Sequence, residues 1–127
     1  MCIRDRYQTP KPWGTYEVLL DDELTKVKRI TVYPRHRLSL QSHEHRQEQW
    51  TVIEGKLTVV LGDEQLIFYP GESVHIPLGA KHRAWNNGDD IVQFIEVQTG
   101  TYFGEDDITR YEADYGRDGD GIESKMY

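Results

Sequence analysis

Between Thr15 and Gln98 the chain runs through short segments in which apolar and polar side chains alternate, and turn-forming residues break the alternation at short intervals. Alternation with period two places successive side chains on opposite faces of an extended backbone, so the pattern predicts half-buried β-strands rather than helices. Strands are predicted over 15–20, 26–33, 37–43, 47–54, 56–61, 65–69, 73–76, 82–86 and 91–98. Between them stand EGK at 54–56, LGDE at 61–64, YPGE at 69–72, PLGAK at 77–81 and NNGDD at 86–90, all suited to tight turns. So many short strands in one small unit predict an all-β jelly roll or closed barrel, which removes exposed sheet edges. Only the segment from Asp106 to about Tyr115 reads as a short C-terminal helix, with acids in its first turn where the helix dipole favours them.

Composition narrows what such a barrel can do. At 127 residues the chain has the length of one domain, and folding at this size buries roughly two-thirds of the unfolded surface. No stretch approaches the roughly 18 to 20 apolar residues of a membrane span, and the N-terminus lacks the apolar run of a signal peptide, so a cytoplasmic protein is expected. The single cysteine, Cys2, cannot form an intramolecular disulfide, so any bound metal must use His, carboxylate or amide ligands. The ends differ from the middle. MCIRDR resembles a translated sequencing adapter and is expected to be a non-native leader over 1–6, the domain itself spanning 7–117, and GRDGDGIESKMY points to a mobile tail over 118–127.

The net charge of −7 disfavours nucleic acid and anionic membranes as partners, but it conceals a local segregation. Residues 26–46 carry Lys26, Lys28, Arg29, Arg35, Arg37 and Arg46 against a single acid, Glu44. That excess either attracts a small anion or consists of ordinary solvated strand charges.

Histidines supply the candidate chemistry. His43 and His45 in LSLQSHEHRQEQW look like a metal-binding pair, but their surroundings shift the pair. The chain reads Gln41-x-His43-x4-Glu48-x6-Gly55, then Gly71-x5-Pro77-x-Gly79-x2-His82-x3-Asn86. These blocks resemble the paired motifs of the cupin superfamily, whose first motif supplies H-x-H and a Glu and whose second supplies one more His. Only a start at Gln41 brings Glu48 and Gly55 into register, so the resemblance implies a cupin double-stranded β-helix whose ligands are Gln41, His43, Glu48 and His82. Glutamine replaces the first histidine of the pattern, and Arg35 replaces its opening glycine. One carboxylate and three neutral donors suit a divalent ion, zinc first, with Mn, Fe, Co or Ni nearly as well accommodated.

A closer resemblance covers residues 11 to 117. KPWGTYEVL, KVKRITVYP, LSLQSHEHRQEQW, IPLGAKHRAWN, IEVQTG and GEDDITRYEADYGR are similar to the type II phosphomannose isomerase domain, often the C-terminal part of a protein whose N-terminal part is a mannose-1-phosphate guanylyltransferase. Gln49 stands where that family usually has histidine. The resemblance implies interconversion of mannose 6-phosphate and fructose 6-phosphate through a cis-enediol, and cupins commonly pair as homodimers. Such a reaction needs an electrophile, a base and a cation for the phosphate. For the base the candidates are His45, in phase with Gln41 and His43 and so expected beside the metal, and Glu96, an acid in the apolar strand FIEVQ. For the phosphate the first choices are Arg46, in the turn between ligands, and Lys28, in phase with Ile30 and Val32; Lys81 and Arg83 come second. Arg110 and Arg117 either close the mouth or pair with Asp106, Asp107 and Asp114 on the surface, the latter being preferred. Trp13, Trp50 and Trp85 read as core aromatics. Two rival readings use the same residues: a 2-His-1-carboxylate Fe(II) oxygenase built on His43, His82 and Glu48, and a non-enzymatic sugar-binding cupin.

Overall fold

A computed structural model describes residues 8–112. The expectations for the leader, for the tail at 118–127, for Arg117 and for the far end of the predicted helix lie outside the described residues. The described chain is built of strands: β1 (Thr9–Lys11), β2 (Gly14–Asp21), β3 (Thr25–Val32), β4 (His36–Arg37), β5 (Leu40–His43), β6 (Arg46–Glu54), β7 (Leu57–Leu61), β8 (Glu64–Phe68), β9 (Ser73–Ile76), β10 (His82–Asn86), β11 (Val92–Gly100) and β12 (Ile108–Glu112). One sheet has the order β1-β2-β3-β11-β6-β9; the other runs β12-β5-β10-β7-β8, with β4 also on β10. All these pairings are antiparallel.

The alternation in sequence becomes the inside and outside of this sandwich. In β6 the buried positions are Arg46, Glu48, Trp50 and Val52, and in β11 they are Val92, Phe94, Glu96 and Gln98. The register stacks Val92 on Val32, Phe94 on Ile30 and Glu96 on Lys28. Each inward row is thus apolar at one end and polar at the other. The apolar end gathers Trp13, Ile30, Val32, Val52, Leu57, Val59, Val74, Val92 and Phe94 into one core. The polar end collects Lys28, Gln41, His43, Arg46, Glu48, His82, Glu96 and Gln98, all buried.

Three expectations are corrected. The predicted C-terminal helix from Asp106 is a single 3₁₀ turn, Glu105–Asp107, followed by β12. The acids of that turn spend their carboxylates on other segments, and the β-branched and aromatic residues of Ile108–Glu112 pair with the free side of β5 (Ile108 beside His43, Arg110 beside Gln41). The strand predicted over 37–43 is broken into β4 and β5. Trp85 is half-buried rather than core, its ring lying 5.0 Å from the Arg37 guanidinium. Of the segregated cations, Arg29, Arg35 and Arg37 serve outward contacts, to Glu17, Asp89 and Trp85 respectively. Lys28 and Arg46 turn inward.

Backbone conformation accounts for both motif glycines. Arg35, where the pattern has glycine, takes φ 67°, a left-handed conformation that a side chain adopts at a cost. Gly55 has φ 84°, and a Cβ there would collide with the Ile91 carbonyl oxygen. Gly55→Ala is therefore expected to destabilise the domain by about 2 kcal/mol, the scale of a strained left-handed residue, as read from urea unfolding; an unchanged midpoint would refute this account of the turn.

Candidate metal centre and cavity

The polar ends of the inward rows enclose a cavity of about 420 Å³, counting its open mouth, lined among others by Tyr16, Lys28, Gln41, Arg46, Glu48, His82 and Glu96. Gln41 and His43 come from β5, Glu48 from β6 and His82 from β10, the backbone register setting His82 beside Gln41. Ligand atoms of His43, Glu48 and His82 all lie within 4.8 Å of one another. His43 Nδ1 is 3.5 Å from Glu48 Oε2, and His82 Nε2 is 3.9 Å from Glu48 Oε1.

The hydrogen bonds orient these groups toward a cation. His82 Nδ1–H donates to the Ala80 carbonyl at 2.9 Å, which leaves the Nε2 lone pair facing Glu48. Gln41 Nε2 donates to the Ser39 side chain at 3.2 Å, and Gln41 Oε1 then faces His43 Nε2 at 3.1 Å. Arg46 Nη2 donates to that same His43 nitrogen at 3.0 Å. No tautomer satisfies both contacts, since a bare Nε2 opposes the Gln41 oxygen and a protonated one opposes Arg46. The one Nε2 lone pair cannot serve Arg46 and a metal at once, so a cation bound there would take the place of the Arg46 contact; the close set of His43, Glu48 and His82 ligand atoms is what fits a divalent metal.

The charges are consistent with this. Burial pushes the His43 imidazole down to about 3, with Arg46 and His82 adding to the effect and Glu48 opposing it. Burial likewise lowers His82. Both are neutral donors near pH 7. Burial raises Glu48, but the imidazoles where they carry a proton, the permanent charge of Arg46 and the Trp50 indole N–H outweigh it and keep the carboxyl below its usual range. Its oxygens accept from Arg46 Nε and from Trp50 Nε1, each at 2.9 Å.

The structure brings Glu96, Lys28 and Arg46 to the cavity. Glu96 is raised to about 7, first by burial and then by the charge of Glu48, while Lys28, Arg46 and a 2.6 Å bond from Gln98 Nε2 pull the other way. Lys28 stands across the strand pair from Glu96, its ammonium 4.6 Å from the centre of the Tyr16 ring. Arg46 Nη1 is buried without a hydrogen-bond partner. Arg83 is buried and lines the cavity, but donates to the Leu38 carbonyl and to Glu112. Lys81 is exposed over the Tyr111 ring, and half-buried Arg110 lies in β12 beside Gln41.

His45 is a correction. Strand β5 ends at His43, residues 44 and 45 form a bend, and the alternation restarts at Arg46. The bend turns His45 outward, its side chain 58% exposed, with Nδ1 2.9 Å from Asp107 Oδ1. Arg46 takes the inward position. Gln49 also faces away from the cavity, being exposed on the outer side of β6. Sequence reasoning missed Glu105, whose Oε2 lies 3.6 Å from Lys28 Nζ, and Asp107, which accepts from the backbone N–H groups of Glu44 and His45 and so holds the bend. The acidic run GEDD was their only local signal, and it reads equally as a helix start.

Fold and site together define a cupin double-stranded β-helix with a metal-competent His-Glu-His group. Solved structures of that fold match closely in shape: an uncharacterized conserved protein with a double-stranded β-helix domain from Klebsiella pneumoniae has TM-score 0.73 at 20% identity, covering 88% of this chain and 90% of that one. The cupin domain of Cnp3 from Schizosaccharomyces pombe has TM-score 0.70 at 11% identity, over 78% and 72%. The family model for the mannose-6-phosphate isomerase C-terminal domain matches residues 3–113, and the chain belongs to that family. Its relatives include the xanthan biosynthesis protein XanB of Xanthomonas campestris pv. campestris, 49% identical over 84% of this chain and 23% of that protein. The mannose-1-phosphate guanylyltransferase ManC of Salmonella typhimurium and the alginate biosynthesis protein AlgA of Pseudomonas aeruginosa are each 44% identical over 84% of this chain and 22% of their own length. The chain thus spans less than a quarter of these relatives. Among the described residues no helix is long and apolar enough to cross a membrane.

The two shifted groups make opposite contributions to stability. His43, depressed from 6.5 to about 3, takes up its proton mainly on unfolding, so its contribution is full above 6.5 and is lost as pH falls toward 3. Glu96, raised from 4.5 to about 7, contributes fully below 4.5 and loses that contribution as pH rises through 7. His82, also lowered by burial, adds to the His43 contribution, so metal-free protein should weaken as pH falls below 6.5, with Glu96 offsetting part of the loss down to 4.5. In Glu96→Gln the decline below 6.5 should be steeper, as measured by urea unfolding across pH. Identical profiles for the two proteins would show that Glu96 does not retain its proton.

Proposed function

We propose that this domain interconverts mannose 6-phosphate and fructose 6-phosphate, with a divalent metal held by Gln41, His43, Glu48 and His82. The observation that carries this reading is the meeting in one cavity of Gln41, Glu48 and His82, with His43 grouped beside the last two, and a buried carboxylate of raised pKa, Glu96, and a buried ammonium, Lys28. Family membership supports the reaction class. A bound metal would supply a Lewis acid for the two sugar oxygens between which the carbonyl shifts.

Aldose–ketose isomerisation removes a proton from one of two adjacent carbons and returns it to the other. Glu96 suits both halves, because a group titrating at about 7 accepts and releases a proton near neutrality with little bias. The base role considered for His45 passes to Glu96, since His45 is turned to solvent. Lys28, beside Glu96, is suited to the phosphate, and Arg46, its Nε held by Glu48, keeps a buried donor, Nη1, for a phosphate oxygen. Trp13 and Tyr16 form an apolar wall that excludes water and offers a face to the sugar ring.

Purified protein loaded with zinc or manganese should convert mannose 6-phosphate in a coupled assay. Chelation should stop turnover and metal readdition should restore it. His82→Ala should lose metal and activity together, whereas Glu96→Gln should keep the metal and lower kcat by about 10²- to 10⁴-fold, the usual reach of general acid–base catalysis. Full activity after verified metal removal would overturn the reading.

A further inference from the structure

Glu105 sits outside both sheets, in the 3₁₀ turn after β11, yet its carboxylate reaches a cation that lines the cavity. Its contact with Lys28 is loose. The 3.6 Å separation exceeds the roughly 2.7–2.9 Å of a charge-assisted hydrogen bond, and the other oxygen, Oε1, is buried with no donor. The Glu105 side chain is 33% exposed against 7% for Lys28, so the carboxylate lies between cavity and solvent.

The neighbours of Glu105 are held more firmly. Tyr102 donates its hydroxyl proton to Asp106 at 2.6 Å, and Asp107 accepts from His45 N at 2.9 Å and Glu44 N at 3.2 Å. The turn stays anchored through these contacts if Glu105 swings out, and no strand ladder is broken. Lys28 is rooted inside, its backbone held in the middle of β3 in register with β2 and β11 and its side chain buried. Without Glu105 the buried ammonium keeps only the Tyr16 ring and the Glu96 carboxyl, whose ionisation burial opposes, so a group that removes Glu105 is favoured where it brings negative charge of its own.

We propose that Glu105 is a resident anion in the phosphate seat at Lys28, and that a phosphorylated sugar binds by exchanging its phosphate for this carboxylate. An uncharged sugar brings no charge to the exchange and leaves Glu105 in place. Glu105 thereby acts through Lys28 as a positioning residue that sets selectivity for phosphorylated over free sugars. The inference rests on Lys28 as the phosphate partner in the proposed isomerase.

Isothermal titration of the metal-loaded protein with inorganic phosphate tests it. Glu105→Gln should bind phosphate about two- to fivefold more tightly than wild type, the range set by losing a partly exposed ion pair, and the gain should vanish in a Lys28→Met background. The KM for mannose 6-phosphate should fall by a similar factor, with the change carried by KM rather than kcat, while inhibition by free mannose should not improve. Glu105→Ala gives the same comparison if the glutamine variant folds poorly. Equal or weaker phosphate binding by a folded variant would overturn the exchange and leave Glu105 a structural partner of Lys28. Tighter phosphate binding without turnover of mannose 6-phosphate in any variant would keep the exchange and remove the isomerase reading.

Discussion

The site depends on one buried charge, the Glu48 carboxylate, which is 2% exposed in the middle of a small β-sandwich. An ion of this kind costs several kcal/mol to bury and persists only where its lone pairs are met by donors and its charge by cations. Arg46 and Trp50, two positions to either side on the same strand face, supply the hydrogen bonds. His43 and His82, from the opposite sheet, face its two oxygens. Glu48 therefore stands between the two sheets at the polar end of the sandwich, where a cation would join its oxygens to the two imidazoles. The loss of Arg46 or Trp50 would leave part of the same charge unmet.

The gradient from apolar to polar along each inward row explains how so short a chain holds both a core and a cavity. Rows that continued as Val, Ile and Phe would fill the interior and leave no space for a ligand. Lys28, Arg46, Glu48 and Glu96 replace them at the polar end, where Lys28 lies across from Glu96 and Arg46 bonds to Glu48. The same proximity raises Glu96, because burial and the Glu48 charge both disfavour its ionisation. A structural compromise and a chemically useful carboxylate are in this respect the same feature.

Much of this was legible in the chain. The nine predicted strands correspond to observed ones, with ends shifted and one segment divided into β4 and β5. The spacing of the cupin-like blocks identified Gln41, His43, Glu48 and His82, which the fold brings together from three strands. Phase arguments succeeded for Lys28 and Glu96, each in the middle of a long regular strand. They failed for His45 because alternation cannot be carried past a strand end: β5 stops at His43 and the bend resets the phase, sending Arg46 inward instead. Reading backwards from Glu48, Trp50 and Val52 would have placed Arg46 correctly, since the four share one strand.

The segment after Gly100 marks the limit of local reading. Its acids favour a helix start and its Ile, Thr and Tyr favour a strand, and the free edge of β5 decides between them. By itself the sequence determined which residues face inward along β3, β6 and β11, because strand geometry has period two and needs no information from elsewhere, and its resemblance to the cupin motifs singled out the candidate ligands. Only the tertiary structure decided that His45 turns out, that Asp107 holds the ligand-bearing bend and that Glu105 meets Lys28. Those contacts join residues roughly sixty to eighty positions apart whose pairing no local pattern encodes, and they form only once the sheets have closed.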